Sequence, residues 1–324
     1  MRNFFLLFFL SSVLLSTISA QTFNIDYLYP IEGSHSYFEF ETTYMGYAKV
    51  RGSFSTFYGS IYYNPDQPTQ TSVSFQIDVE SIDTNNDWRD RDLKSKNWFL
   101  AEEFPHIHFS SSKVYPEGEG LRVEGALTVK ETTKDISFMI APAVGVIKDI
   151  RGDHQVIFTG SYTLNRKEYG VMGKNWSQVK EGIAALSDEV TINFSLLGKQ
   201  VKEANFKNFL RNPKSPPGAI YVAYQDGGTN AAQEKFNTLK SEMEVNANAI
   251  NMVAYMLYQQ GKYEEALALL NFNQEEFPEE ASVPNSIARV YAKMGKLGKA
   301  KAHYEKSLAL DAKNMNAAEA LKRL

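Results

Sequence analysis

The sequence of 324 residues contains no cysteine. That absence excludes disulfides, thiolate metal sites, thiol nucleophiles and a lipid-bearing N-terminal cysteine, and it leaves stability to packing alone. Charge of one sign is also lacking. With 34 basic and 38 acidic residues the net charge is -4, too weak a field to gather a polyanion, so no nucleic-acid partner is expected. No G-x-S-x-G elbow and no glycine-rich phosphate loop occurs. These gaps lead to the expectation of a protein that is not an enzyme and carries no cofactor.

Aromatic residues are abundant instead: 21 Phe and 18 Tyr bring the aromatic share to 13%, and such side chains favour pleated, half-buried strands. The length suggests two packed units rather than one. At the N-terminus Arg2 supplies a positive charge, Phe4 to Leu15 an oily run, and Ser16 to Ala20 a small-residue end suited to cleavage. Residues 1–20 are therefore expected to be a signal peptide, cut after Ala20, with the mature chain periplasmic or secreted. The oily run is shorter than the roughly 20 residues a membrane helix needs.

From Ser34 the hydrophobic pattern has period two. Phe38 and Phe40 alternate with Glu39 and Glu41, and the same rhythm returns at Val73 to Val79, Ile107 and Phe109, Leu121 to Val129, Ile136 to Ile140, Phe158 to Leu164, and Val190 to Leu196. Turn residues divide the runs at Asn64-Pro65-Asp66, Pro116 to Gly120 and Arg151-Gly152-Asp153. An antiparallel sheet of that length exposes edges unless it closes, and about eight strands make a barrel that side chains fill or that holds one slender ligand. The oily faces nominate Phe38, Phe40, Phe54, Phe75, Ile77, Phe109, Leu127, Phe138, Tyr162 and Phe194 as the inward set. Alternation alone leaves two readings open, a solid core or an apolar pore. The period breaks at Asp83 to Leu100, where capping residues precede a mixed apolar and charged stretch; this predicts a short helix across one barrel end.

An ordered series of phrases in this region resembles the YceI-like family. It comprises Val50-Arg51-Gly52-Ser53-Phe54, Ser81-Ile82-Asp83-Thr84-Asn85-Asn86, Arg89-Asp90, Leu93-Lys94-Ser95, Trp98-Phe99, Phe104 to Ser111, Gly125 to Val129 with Thr133-Lys134, and Asn165 to Gly170. The resemblance covers residues 22–199. It implies an exported, lipocalin-like antiparallel β-barrel whose apolar pore holds a polyisoprenoid or other long-chain lipid, without catalysis. Two departures bear on the ligand's head group: Tyr44 stands where the family often has histidine, and Lys130-Glu131 stand where a His-Gly pair is frequent.

Residues 200–220 gather Pro213, Pro216, Pro217 and Gly218 and read as a stiff linker. Beyond it, residues 221–324 repeat at an interval of 34: Ala254 maps to Ala288, Gly261 to Gly295, Tyr263 to Leu297 and Ala266 to Ala300. That spacing is tetratricopeptide-like, with units at 247–280 and 281–314 and partial helices at 233–244 and 315–324. Two units are fewer than the roughly three of a free-standing stack, so the flanking helices must cap it or the stack must lean on the barrel. The repeats offer a surface for a protein partner, and self-association as a homodimer stays open. Two further alternatives remain. One is a non-lipid scaffold with a solid barrel. The other is a metal-dependent enzyme at His106 and His108, the sole close histidine pair, for which no third ligand is evident. The charged group Asp83, Arg89 and Asp90 is read as a helix start rather than a catalytic cluster.

Overall fold

The computed structural model describes residues 25–324 apart from 142–144, 174, 175, 177, 181 and 313. The expected signal peptide lies outside the described residues. The first unit contains strands β1 (Leu28–Pro30), β2 (Tyr37–Tyr44), β3 (Ala48–Phe54), β4 (Phe57–Tyr62), β5 (Ser72–Asp78), β6 (Ile82–Asp83), β7 (His106–Glu117), β8 (Gly120–Val129), β9 (Thr132–Ile140), β10 (Ile147–Lys148), β11 (His154–Asn165), β12 (Val179–Lys180), β13 (Ile183–Ala184) and β14 (Leu186–Lys199). Among the described residues it also contains one α-helix, α1 (Asp87–Lys94).

All but the β12–β13 pair belong to one antiparallel sheet in the order β1-β4-β5-β7-β8-β9-β11-β14-β2-β3-β6. Ile31, just past β1, bridges Gly198 of β14, and the Glu32 amide donates to the Leu197 carbonyl at 2.8 Å. Pairing therefore returns from β14 through β1 to β4, which curls the sheet onto itself. The β2–β3 hairpin lies beside β14 and ends on the short β6, so the barrel is split between β3 and β4. The strand β4 (Phe-Tyr-Gly-Ser-Ile-Tyr) escapes the period-two reading because a glycine and a serine interrupt its oily face.

Five phenylalanines, one from each of β2, β5, β7, β9 and β14, meet across the barrel. Their ring centroids lie 4.7 Å apart for Phe38–Phe75, 5.1 Å for Phe75–Phe109, 5.3 Å for Phe109–Phe138, 5.5 Å for Phe138–Phe194 and 6.0 Å for Phe194–Phe38, closing a circle. These separations fall within the range in which aromatic pairs add about 0.5–1.5 kcal/mol to the burial of their area. On one side of the circle Val73, Val114, Val123, Ile140, Val156, Phe158 and Leu196 are buried and fill the barrel. Glycine opposite the rings makes the room: a Cβ at Gly160 would lie 2.5 Å from the Phe194 ring, and one at Gly125 would lie 2.8 Å from the Phe109 ring and 2.3 Å from the Ser110 carbonyl oxygen.

The second unit holds α2 (Glu203–Leu210), α3 (Pro216–Glu242), α4 (Ala247–Gln259), α5 (Tyr263–Glu276), α6 (Ser282–Lys293), α7 (Leu297–Leu310) and α8 (Met315–Arg323). The stretch read as a linker is thus largely helical. Pro216 and Pro217 occupy the first turn of α3, where a proline forfeits no hydrogen bond, and Ser215 caps it by accepting from the Gly218 amide at 3.2 Å. Helix α3 breaks at Gly227 and Gly228, the latter with φ of 71°.

The 34-residue mapping holds in three dimensions. Ala254, Ala288, Ala266 and Ala300 are buried between helices, and Gly261 and Gly295 take left-handed φ of 75° and 72° in equivalent turns. Positions 273 and 307 are also 34 apart. Asn273 Nδ2 donates to the Ala247 carbonyl at 3.0 Å, and Ser307 Oγ donates to the Ala281 carbonyl at 2.8 Å, so each unit is tied internally at the same place.

The helices lean on the outer face of β4, β5 and β7. Ile25, Leu28 and Tyr62 share a core with α2 to α6, while Asn246 Nδ2 donates to Ser110 Oγ at 3.3 Å and Asn248 Nδ2 to Ser72 Oγ at 3.2 Å. The expected spacer is therefore corrected to a packed connection: an apolar seam gains more from burial than a stiff extended segment would from staying solvated.

Replacing Gly160 or Gly125 by alanine should destabilise the protein by about 1–3 kcal/mol, as overpacking does. Urea unfolding should show the larger loss for Gly125→Ala, whose added carbon meets backbone rather than a movable ring.

Candidate functional site

The other side of the phenylalanine circle is hollow. A cavity of about 150 Å³ occupies that half of the barrel, and its accessible surface is apolar. Its walls follow the register. One or two inward steps beyond the circle are Phe40 and Thr42 on β2, Ile77 on β5, Ile107 on β7, Ile136 on β9, and Ile192 and Val190 on β14, all lining the space. The barrel is thus a cup with a sealed floor. Of the two readings left open by alternation, the apolar pore describes the half above the circle and the solid core the half beneath it.

Of the ten residues nominated from the sequence, Phe38, Phe40, Phe54, Phe75, Ile77, Leu127, Phe138, Tyr162 and Phe194 line the cavity. Phe109 does not. It lies 2% exposed behind Phe75 and Phe138, so it supports the floor from below. The short helix expected across one barrel end is α1, while the period-two reading nominated no wall residue from it or from the segment after β11, because neither is a strand.

The lid is α1 and the turn that follows. Asn86 caps the helix by accepting from the Arg89 amide at 3.0 Å, and Asp90 accepts from the Thr84 amide at 2.9 Å while Arg89 Nε donates to Thr84 Oγ1 at 2.7 Å. The charged group is therefore spent on starting the helix. Leu93, Trp98 and Phe99 reach the cavity from this lid, and the Trp98 indole is fixed by donating to Asp92 Oδ2 at 2.9 Å.

Arg166 is the unexpected wall residue. Its side chain is 4% exposed, and the guanidinium donates to the carbonyls of Ser187 at 3.0 Å, Val171 at 2.8 Å and Met172 at 2.5 Å, with Asp188 at 3.3 Å. It also lies 5.4 Å from the Trp98 ring. Burial pulls its pKa down and Asp188 opposes the shift, but an arginine retains its charge over any ordinary pH. With its donors directed at carbonyls, it ties three chain segments together without adding polarity to the cup. Tyr162 and Tyr169 line the same space, and burial raises the pKa of both, so each stays a neutral phenol. The phrase Asn165 to Gly170 was the only sequence signal for this wall.

The two departures noted in the sequence stand around the cup rather than in its walls. Tyr44 is at the β2–β3 turn, 5.9 Å from the Trp176 ring. Lys130 donates from Nζ to the Gly170 carbonyl at 3.0 Å and so holds the segment that carries Tyr169 and Val171.

With this geometry in view, residues 29–197 match the family model of the YceI-like domain. The chain belongs to that family. Residues 246–270 match a tetratricopeptide repeat. A UPF0312 protein of Photorhabdus laumondii is 33% identical over 158 residues, 49% of this chain and 81% of its own length. BcnA of Burkholderia cenocepacia is 22% identical, with a TM-score of 0.44 over 52% of this chain and 98% of that one. A polyisoprenoid binding domain from Saccharophagus degradans is 12% identical, with a TM-score of 0.38 over 53% and 98% of the two chains. In each case the YceI-like part accounts for about half of this chain.

The YceI-like barrel keeps its histidine pair away from the cup. His106 and His108 alternate with the inward Ile107 and Phe109, and their rings are 5.8 Å apart on the outer face beneath the helices. Among the described residues no group of three or more His, Asp or Glu is placed to hold a metal ion. Burial lowers the pKa of both, that of His108 to about 4 with His106 adding to the effect, while Asp78 opposes the shift at His106. The folded state thus binds fewer protons than the unfolded one between the ordinary histidine value near 6.5 and about 4. Stability is complete above that window and falls as pH drops through it, by up to about 3 kcal/mol for His108. Melting curves should therefore shift down between pH 7 and pH 4.5, and His108→Gln should flatten that dependence.

Proposed function

We propose that this YceI-like protein binds a polyisoprenoid or comparable long-chain lipid, tail first, in the barrel cup, and acts as a carrier or store rather than as a catalyst. The observation that carries the reading is a hollow half-barrel whose accessible lining is wholly apolar. Such a cup needs no charge to hold a hydrocarbon, because each buried methylene contributes about 0.8 kcal/mol. The sealed floor admits one end of the chain and leaves the head group at the rim. There Lys134 pairs with Glu168 at 2.6 Å and Lys130 holds Gly170, which gives a polar edge to an oily interior.

The reading includes export. Residues 1–20 act as a cleaved signal, and the chain from Gln21 works in the periplasm or outside the cell. It also includes a protein partner at the repeats. There a shallow groove is lined by Tyr255, Tyr258 and Arg289, and the guanidinium lies 5.6 and 5.8 Å from the two rings. Tyrosine and arginine together are the residue types that most often anchor protein interfaces.

Organic extracts of the chain purified without added lipid should contain a long-chain lipid near one equivalent by mass spectrometry. Ile192→Trp and Leu164→Trp, which push an indole into the cup, should each lower that occupancy at least tenfold while the melting temperature moves little. A lipid-free extract, or undiminished occupancy in the filled variants, would overturn the reading. N-terminal sequencing of the exported protein should begin at Gln21.

A further inference from the structure

The β2–β3 turn is built against its own backbone preference. Met45 and Gly46 both have positive φ, 49° and 76°, and the Tyr47 amide donates to the Tyr44 carbonyl at 3.1 Å, the geometry of a type I′ turn. That turn favours Asn-Gly, and a long unbranched side chain at its first central position is disfavoured. Here a methionine occupies the position and points into solvent, flanked by Tyr44 and by Tyr47, which is 83% exposed.

The turn is not alone. The Met45 amide donates to the Ala185 carbonyl at 3.0 Å, and a Cβ at Gly46 would lie 3.3 Å from the Ile183 side chain, so the β12–β13 hairpin stands beside it. That hairpin carries Val179, 66% exposed. Met172, also exposed, follows the cavity-lining Val171, and Tyr44 pairs with the cavity-lining Leu186. The exposed apolar surface is therefore continuous in chain and in pairing with the walls of the cup. Nearby, Lys49 and Arg51 share the one carboxylate of Glu41, at 3.0 and 2.7 Å, which leaves a single positive charge beside the turn.

We propose that the β2–β3 turn and the β12–β13 hairpin form a membrane-docking rim, which inserts Met45, Tyr47 and Val179 into the interface of a phospholipid surface so that a lipid passes between bilayer and cup. Tyrosine is suited to that depth, apolar in its ring and wet at its hydroxyl, and an apolar patch beside a cavity for hydrocarbon is most simply matched by the phase in which the hydrocarbon dissolves. One uncompensated positive charge contributes little to membrane binding by itself, so insertion of the apolar side chains carries the docking. This inference rests on the lipid reading of the cup.

The test uses the chain from Gln21, which contains every described residue and lacks the oily N-terminal run. Flotation with phosphatidylcholine vesicles should bring the protein to the lipid layer, with little change between 0.1 and 1 M salt. In Met45→Asn/Tyr47→Ser the bound fraction should fall at least tenfold. Asparagine suits the left-handed backbone better than methionine, so this variant should melt at the same temperature as the parent or higher, which separates lost docking from lost folding. Loading from injected solvent should leave its lipid occupancy unchanged while its transfer of lipid between vesicles slows. Parent protein that ignores the vesicles, or a variant that binds them equally well, would overturn the rim. So would a patch-dependent dimer in sedimentation equilibrium without vesicle binding, since the surface would then serve a second copy. Vesicle binding by a chain that takes up no lipid would leave the rim standing and remove the cup's cargo instead.

Discussion

The contact on which the barrel depends is the closed circle of Phe38, Phe75, Phe109, Phe138 and Phe194. It draws together strands that are far apart in sequence, and it divides the interior. Below it the barrel is filled by buried side chains such as Val123, Ile140, Val156 and Phe158, part of the packing on which a cysteine-free chain relies. Above it the same strands can afford a hollow, because the cost of unfilled volume is borne by a floor already anchored from beneath. The cavity and the packed core thus occupy different halves of one sheet, and the glycines at 125 and 160 stand where the floor needs ring thickness rather than side chains.

Much of this was legible in the sequence because a strand shows its inward face every second residue. Nine of the ten nominated residues lie around one cavity for that reason. Phe109 shows the limit of the method: alternation identifies a face but not a depth, and a floor residue seen from below has the same pattern as a wall residue seen from above. Arg166, Trp98 and Tyr169 were invisible to alternation because they come from a lid and a turn, where position is set by hydrogen bonds to carbonyls far along the chain. The hollow itself has no signature in hydropathy, since a filled interior and an empty one use the same residues.

The helical unit was read correctly where small residues recur at 34 and incorrectly where proline was taken as punctuation. Pro216 and Pro217 begin a helix rather than end one, and the difference lies in Ser215, whose Oγ accepts from the Gly218 amide in the first turn. The stack also resolves its shortness by resting on β4, β5 and β7. Its polar ties at Asn273 and Ser307 repeat with the backbone, while Asn246 and Asn248 reach across to serines on the barrel. The two histidines of the barrel's outer face lie beneath that seam.

A floor at fixed depth also makes the barrel a ruler. Each further carbon of a bound tail gains burial only until its tip meets the aromatic circle; beyond that length the surplus must coil outside in water or remain in whatever phase supplied it. For the proposed cargo, affinity would climb with chain length and level off, so that short tails are told apart while long ones are treated alike, with the selectivity set by the depth of five rings below the mouth rather than by any polar contact.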